Sequence, residues 1–182
     1  MSDEIYKRYA HNPPHLFRPG AAYMITAGTY QKHPHIQGEA RKRQWFESLL
    51  FVIEKEQWEL VAWVVLDNHY HLLIHASEAG SERLSQLIRS LHTFTARRLN
   101  DEDNAPGRRV WWSYWDTCLT CERSYYARLN YIHWNPVKHE RAARPEDYAF
   151  SSYRAFLSER EVQTHRLEKA YPFDRIQVPD DF

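Results

Sequence analysis

Long apolar runs are missing from this 182-residue chain, and no stretch approaches the roughly 18 residues a membrane span needs. No membrane role is therefore expected. The N-terminus, MSDEIYKRYAHNPPHLF, lacks a basic start followed by an apolar stretch, so no secretion signal is expected. Cysteine is scarce. Cys118 and Cys121 do not make a disulfide framework in a chain of this size, and a reducing cytoplasm is the expected home. Charge of one sign is also missing, since 24 Lys+Arg balance 24 Asp+Glu. Nucleic-acid proteins usually carry a basic excess, so the overall balance counts mildly against that class. The charges are unevenly spread, however. Residues 1–144 hold 19 basic and 16 acidic side chains, whereas residues 145–182 hold 5 and 8. A small phosphate site needs only a local basic surface. Internal repeats and low-complexity tracts are absent as well.

Aromatic side chains are plentiful, with 7 Trp, 12 Tyr and 8 Phe, and this load argues against disorder. The length suits one domain with a substantial core. Residues 21–30 alternate and are rich in β-formers, which predicts a strand. In residues 39–56, Trp45, Leu49, Val52 and Ile53 fall at helical spacing. Residues 58–66 form a nearly continuous apolar run, the pattern of a buried central strand. Asp67-Asn68 is turn chemistry, and 69–77 reads as the returning strand. A second helix fits 81–99, capped by Ser81, with Leu84, Leu87, Ile88, Leu91, Phe94 and Leu99 on its apolar side. A polar loop follows at 100–107. Residues 110–120 read as a loop running into a strand. A third helix fits 122–134, with Asn135-Pro136 near its end. A short helix is expected at 149–158. Strands and helices alternating around a central hairpin predict an α+β, ferredoxin-like split-βαβ sandwich, with helices on one face of an antiparallel sheet.

His69 and His71 sit two apart on the returning strand, so both imidazoles point to one face and can share a divalent cation. Tyr70 points the other way. The ordinary alternative is two half-buried histidines, and the pair alone does not decide. His75 shares that face but lies about 13 Å further along the strand, so it is left out. His33-Pro34-His35 is a second His-x-His, but its polar, proline-interrupted setting reads as a loop. Tyr131 and Asn135 are four apart on the third helix, which places them on one face. A phenol and an amide oxygen could meet there at a cation held by His69 and His71. That set suits phosphodiester cleavage by a tyrosine nucleophile. Packing remains the ordinary role of a helical tyrosine.

Taken together, these passages resemble the HUH single-tyrosine transposases, and most closely their REP-associated tyrosine transposase branch. AWVVLDNHYHLLIH is similar to the branch's apolar strand, turn and His-hydrophobic-His element. VWWSYWDTCLT looks like its Trp-rich segment ending in an aromatic-Trp-acid step. LNYIHWNPVKHE is similar to its Tyr-Ile-x-x-Asn-Pro-Val-Lys helix, about 60 residues after the histidines. The resemblance covers roughly residues 15–155. It implies that Tyr131 is the nucleophile, that His69, His71 and Asn135 hold Mg²⁺ or Mn²⁺, and that the substrate is hairpin-forming or palindromic single-stranded DNA. It also implies a homodimer. Tyr70 is bulkier than the usual aliphatic between the histidines. The expected organisation is an N-terminal arm (1–14), the transposase domain (15–155) and an acidic C-terminal tail (156–182).

Trp112 and Trp115 are candidates for stacking on unpaired bases, with core packing as the alternative. Arg108, Arg109 and Lys138 are candidate phosphate contacts, with a solvated surface as the alternative. Asp116 reads as a satisfied carboxylate. Cys118 and Cys121 form a Cys-x-x-Cys with no second pair to complete a zinc site. The competing function is a non-catalytic, regulatory binder of palindromic repeat DNA. A weaker third is a metallohydrolase with no covalent step.

Overall fold

A computed structural model of the chain describes residues 20–76, 83–174 and 176, and the backbone of two short paired strands, β1 (Tyr6–Lys7) and β2 (His15–Leu16). Most of the 1–14 arm, the Ser81 cap and most positions beyond 174 lie outside the described residues. The main sheet comprises β3 (Ala22–Thr29), β4 (Glu59–Val65), β5 (His69–His75) and β6 (Trp111–Leu119). Its strand order is β4-β5-β3-β6, and every pairing is antiparallel. Helices α1 (Glu39–Lys55) and α2 (Leu84–Glu102) form the two crossovers. This is the split-βαβ arrangement the pattern predicts.

The central strands β3 and β5 are buried almost throughout, because both sheet faces are covered. On one face, Tyr23, Ile25, Ala27, Tyr70, Leu72 and Ile74 pack against α1 and α2, as expected. The opposite face is covered too. There Ala22, Met24, Ala62, Val64 and Leu73 meet Leu129, Tyr131 and Ile132 of α3 (Glu122–Lys138). The sheet is thus the middle layer of three, and the site forms under α3.

Several boundaries differ from expectation, each for a local reason. Phe94, placed on the apolar side of α2, is 40 % exposed and meets the exposed Phe51 edge-on. Thr95 takes the inward position four residues after Leu91, and its hydroxyl accepts from Trp111 Nε1 at 2.9 Å. The 110–120 segment is strand from Trp111 onward, with a register shift where β3 bends between Ala27 and Thr29. Helix α2 runs on to Glu102, into the expected loop. Helix α3 continues through Pro136 to Lys138. So late in the helix, proline forfeits one backbone bond, and the end is closed by Arg141 N–H on the Pro136 carbonyl at 2.8 Å.

The last helix, α4 (Tyr153–Ala170), is longer and later than the 149–158 expectation. Its apolar pattern is weak, so periodicity hides it. Specific polar bonds dock it instead. Asn130 Nδ2 donates to the carbonyls of Leu167 at 3.0 Å and Tyr171 at 2.7 Å. Trp134 Nε1 donates to Glu168, as does the Tyr153 hydroxyl. Just before α4, residues 150–152 bond to β4 and cover that sheet edge.

Candidate active site

The Asp67-Asn68 turn orients the first imidazole. Asn68 Oδ1 lies 2.9 Å from His69 Nδ1, while Asp67 pairs with Lys42 on α1 and with Arg141 beyond α3. Strand alternation sends His69 and His71 toward α3 and Tyr70 into the opposite core. The two imidazole centroids are 5.3 Å apart. Thr26 stands opposite His71 in the β3–β5 register, and its Oγ1 is 2.8 Å from His71 Nδ1.

Helix α3 brings the other partners. Asn135 Oδ1 is 3.3 Å from His69 Nε2. The Tyr131 ring stands edge-on to His71, with centroids 5.3 Å apart. Lys138, two turns after Tyr131, donates to its hydroxyl at 3.0 Å. Tyr131 is enclosed, at 2 % exposure. His139 adds a third imidazole, its centroid 4.6 Å from that of His69. Burial holds the pair neutral. It lowers His69 to about 3, with the nearby His139 contributing next, and it pushes His71 well below the ordinary imidazole range. Neutral imidazoles keep the lone pairs that metal ligation requires.

Does this donor set fit a divalent cation? A neutral imidazole has one N–H, yet both nitrogens of His69 face side-chain amide oxygens. One of those contacts therefore opposes two lone pairs. A cation on Nε2 would relieve it. Ligand atoms about 2.1 Å from one cation stand about 3.0 Å apart at a right angle and about 3.4 Å apart at the tetrahedral angle. The 3.3 Å between His69 Nε2 and Asn135 Oδ1 falls in that range. Asn135 Nδ2 is buried with no hydrogen-bond partner, so an amide turned over to donate to His69 is the metal-free alternative. Among the described residues no group of three or more His, Cys, Asp or Glu side chains is placed to hold a metal. The fitting set is two imidazoles and an amide oxygen.

A family model described as "Transposase IS200 like" matches residues 19–134, well over half of the chain. The chain belongs to the IS200-like transposase family. It is 26 % identical over 108 residues to a REP-associated tyrosine transposase of Escherichia coli (strain K12). That match covers 58 % of this chain and 61 % of the relative, so the chain spans somewhat less than two thirds of that protein. The fold is similar to that of a REP-associated tyrosine transposase whose structure was solved bound to a REP hairpin. The TM-score is 0.68 at 21 % identity, over 100 % of this chain and 95 % of the other. The matched family segment contains His69, His71 and Tyr131 and stops one residue before Asn135.

The remaining candidate residues of this family member part company. The Arg109 guanidinium lies 4.3 Å from the Trp112 ring centroid and 4.8 Å from that of Tyr30. Trp112 is 46 % exposed. Tyr30 and Arg109 also line an open cavity of about 480 Å³ with His33, His35 and Arg41. That cavity lies at the His69 end of the sheet, because Thr29 N–H bonds to the Asn68 carbonyl and Tyr30 N–H to Val110. Trp115 is half-buried and faces the same side as its pairing partner Thr26. Arg108 lines the same cavity but is also tied down locally. Its guanidinium donates to Asn100 Oδ1, the Leu99 carbonyl and Asp103, which accounts for it as the clasp of its loop. His75 sits at the far end of β5, paired with Glu59. Neither Cys118 nor Cys121 is part of a disulfide. No described helix is long and apolar enough to cross a membrane.

Thr26, Asn68 and His139 were not singled out from the sequence, and the bond from Lys138 to Tyr131 was not foreseen. One signal was available. Tyr131, Asn135 and His139 are spaced i, i+4, i+8 and so form one stripe of α3. Thr26 gave none, because its pairing with His71 follows from strand register alone.

Proposed function

We propose that this transposase nicks and rejoins single-stranded DNA at hairpin or palindromic repeat elements through a 5′-phosphotyrosine, as a member of the REP-associated branch. One observation carries the reading: Tyr131, Lys138, His71, His69 and Asn135 converge from α3 and β5. In the proposed reaction the Tyr131 phenol oxygen attacks phosphorus in line with the scissile bond. A Tyr–O–P bond forms, the P–O3′ bond breaks, and the departing 3′ oxygen takes up a proton as the phenol loses one. One ester replaces another, so a second 3′-hydroxyl can reverse the step without ATP. Lys138 places a positive charge at the attacking oxygen, and with Arg141 it offers phosphate a basic rim. His69, His71 and Asn135 would hold Mg²⁺ or Mn²⁺. A bound divalent ion there supplies polarisation of a non-bridging phosphate oxygen. Arg109, Tyr30, Trp112 and Trp115 would receive unpaired bases and backbone at the same sheet end. A homodimer completes the proposal.

The enclosure of Tyr131 favours a second reading, a regulatory binder of palindromic repeats without turnover. One experiment separates the two. Purified protein, Mn²⁺ and a hairpin-bearing oligonucleotide are expected to give an adduct that survives SDS. Tyr131→Phe abolishes it and leaves hairpin binding nearly intact. Binding without cleavage by the unaltered protein supports the regulatory reading, and cleavage with no adduct at any time supports a metallohydrolase.

A further inference from the structure

A cavity of about 530 Å³ opens between α3, α4 and the β4 edge, at the His75 end of the sheet. It shares the sheet face of the candidate site, because strand alternation sends His69, His71 and His75 to one side. His75 meets Tyr125 of α3 edge-on, with centroids 5.7 Å apart. Six residues of strand separate His75 from His69, which is about 20 Å. The volume is that of a small-molecule site. Trp63, Tyr125, Tyr126 and Phe156 contribute aromatic carbon to its walls.

Helix α4 is broken along this cavity. Arg160, which lines it, leaves helical angles (φ −147°, ψ 45°), although α4 contains neither proline nor glycine. The Thr164 hydroxyl donates to the Phe156 carbonyl at 3.4 Å across the break. Polar groups flanking the cavity are spent on the fold. Ser152 Oγ accepts from the Trp63 N–H, and Glu168 accepts from Trp134 and Tyr153. Those lining it are not. Arg160, Gln163, Glu159 and the hydroxyls of Tyr125 and Tyr126 have no hydrogen-bond or ion-pair partner among the described residues. His75 Nε2 is shut off from solvent and has no hydrogen-bond partner either. Burial holds the Tyr125 phenol above its ordinary range, with Tyr126 and Glu59 contributing next, so it stays a neutral donor.

The charges of this lining narrow the ligand. One guanidinium, Arg160, stands among two carboxylates, Glu59 and Glu159, which is a poor seat for a phosphate. A flat, neutral ring with acceptors on one edge and donors on the next uses every kind of group present. Guanine is such a ring. Its O6 and N7 accept a bidentate arginine, and its N1–H and amino group donate to a carboxylate. We propose that the cavity takes one unpaired guanine base, read by Arg160 from α4 and Glu59 from β4. This rests on the DNA-nicking reading only for the origin of the base. Roughly six stacked nucleotides, at about 3.4 Å each, span the distance from His69, so a single-stranded extension of the substrate reaches the cavity. A free guanine nucleoside offers the same chemistry.

The test uses the purified full-length chain without metal and has two arms. In one, deoxyguanosine and deoxyadenosine are titrated by calorimetry. In the other, hairpin oligonucleotides carry a single-stranded extension of about eight dA on either side, with a single dG moved along it. A dG at one position is expected to raise hairpin affinity at least about fivefold, the worth of one bidentate base contact. That result assigns the base to the DNA strand. Selective binding of deoxyguanosine with no effect of the extension assigns it to a free nucleoside. In either case Arg160→Ala and Glu59→Gln should each abolish the preference for guanine and leave the affinity for the all-dA hairpin within about twofold. Unchanged melting temperatures check that both variants keep the fold. If neither arm shows a preference for guanine, or if the preference survives both substitutions, the inference falls alone and hairpin binding leaves the DNA reading standing. If the unaltered protein binds no hairpin, the DNA reading falls and the nucleoside arm by itself decides the cavity.

Discussion

Replacing Thr26 by Val removes one hydroxyl and leaves the side-chain shape nearly unchanged. That hydroxyl is 2.8 Å from His71 Nδ1, on a strand where both residues are almost fully buried. Without it, a buried imidazole nitrogen loses its partner, at a cost of about 1–3 kcal/mol. In a chain of this length each kcal/mol is worth roughly 2–4 °C of melting temperature, so a metal-free protein should melt about 4–8 °C lower for a cost near 2 kcal/mol. The functional effect is separate. The Thr26 contact fixes the tilt of the His71 ring, and losing such a support weakens a metal site by about 10–100-fold. Mn²⁺ calorimetry and a melting curve on Thr26→Val read the two effects independently. Thr26→Ser restores the oxygen and should recover most of both. Unchanged Mn²⁺ affinity in a variant that melts lower would refute the orienting role and leave Thr26 as packing. An unchanged melting temperature would refute the hydrogen-bond argument itself.

Three further outcomes follow from the geometry. Lys138→Met removes the donor on the Tyr131 hydroxyl, and adduct formation should slow at least tenfold while hairpin affinity falls by a few-fold; equal rates would show that the ammonium plays no part in the chemistry. Asn130→Ala leaves the Leu167 and Tyr171 carbonyls without their donor and should cost about 2–4 kcal/mol, read by urea unfolding, with limited proteolysis expected to release the α4 segment first. His92 lies flat on Trp111, and its Nε2 is 2.9 Å from the Tyr70 hydroxyl; desolvation lowers its pKa to about 3. Because the unfolded chain binds this proton near pH 6.5, the stabilisation is complete above that value and is lost as pH falls toward about 3, at up to about 1.4 kcal/mol per pH unit. Urea midpoints at pH 7 and pH 5 measure the total slope, to which buried His69, His71 and His133 also contribute, and His92→Phe should lower it by up to about 1.4 kcal/mol per pH unit.

What could be read from the residues depended on whether each signal was local. The hairpin was legible because the apolar run 58–66, the Asp67-Asn68 turn and the alternation of 69–75 are each short-range patterns, and together they fix which way His69 and His71 point. The first two helices were legible from periodicity, although Phe94 shows its limit. Three-residue and four-residue spacings diverge by about a third of a turn, and the chain buried Thr95 instead because Trp111 offered it a hydrogen bond. Helix α4 was poorly legible for a different reason. Its attachment is polar, through Asn130, Trp134 and Glu168, and a carboxamide that bonds two carbonyls across 37 and 41 residues has no signature in sequence.

The site divides along the same line. His69 with His71, and Tyr131 with Asn135, are spacings within one element, so the sequence could place each pair on a face. Bringing the pairs together required knowing that α3 crosses the sheet on the face opposite α1 and α2, which no local pattern states. Of the side chains that meet the ring nitrogens, Asn68 is local to His69, whereas Thr26 and Asn135 are not. Thr26 reaches His71 through strand pairing across 45 residues, and Asn135 reaches His69 across 66. Arg108 shows the converse. A guanidinium that looked like a phosphate contact spends its donors on its own loop, because Asn100 and Asp103 lie within eight residues of it. At the site, the contacts of Asn68 with His69 and of Lys138 with Tyr131 are local, whereas those of Thr26 and Asn135 with the imidazoles span tens of residues. Cross-strand register is therefore what gives the Thr26–His71 contact, which the composition of the surrounding loops does not.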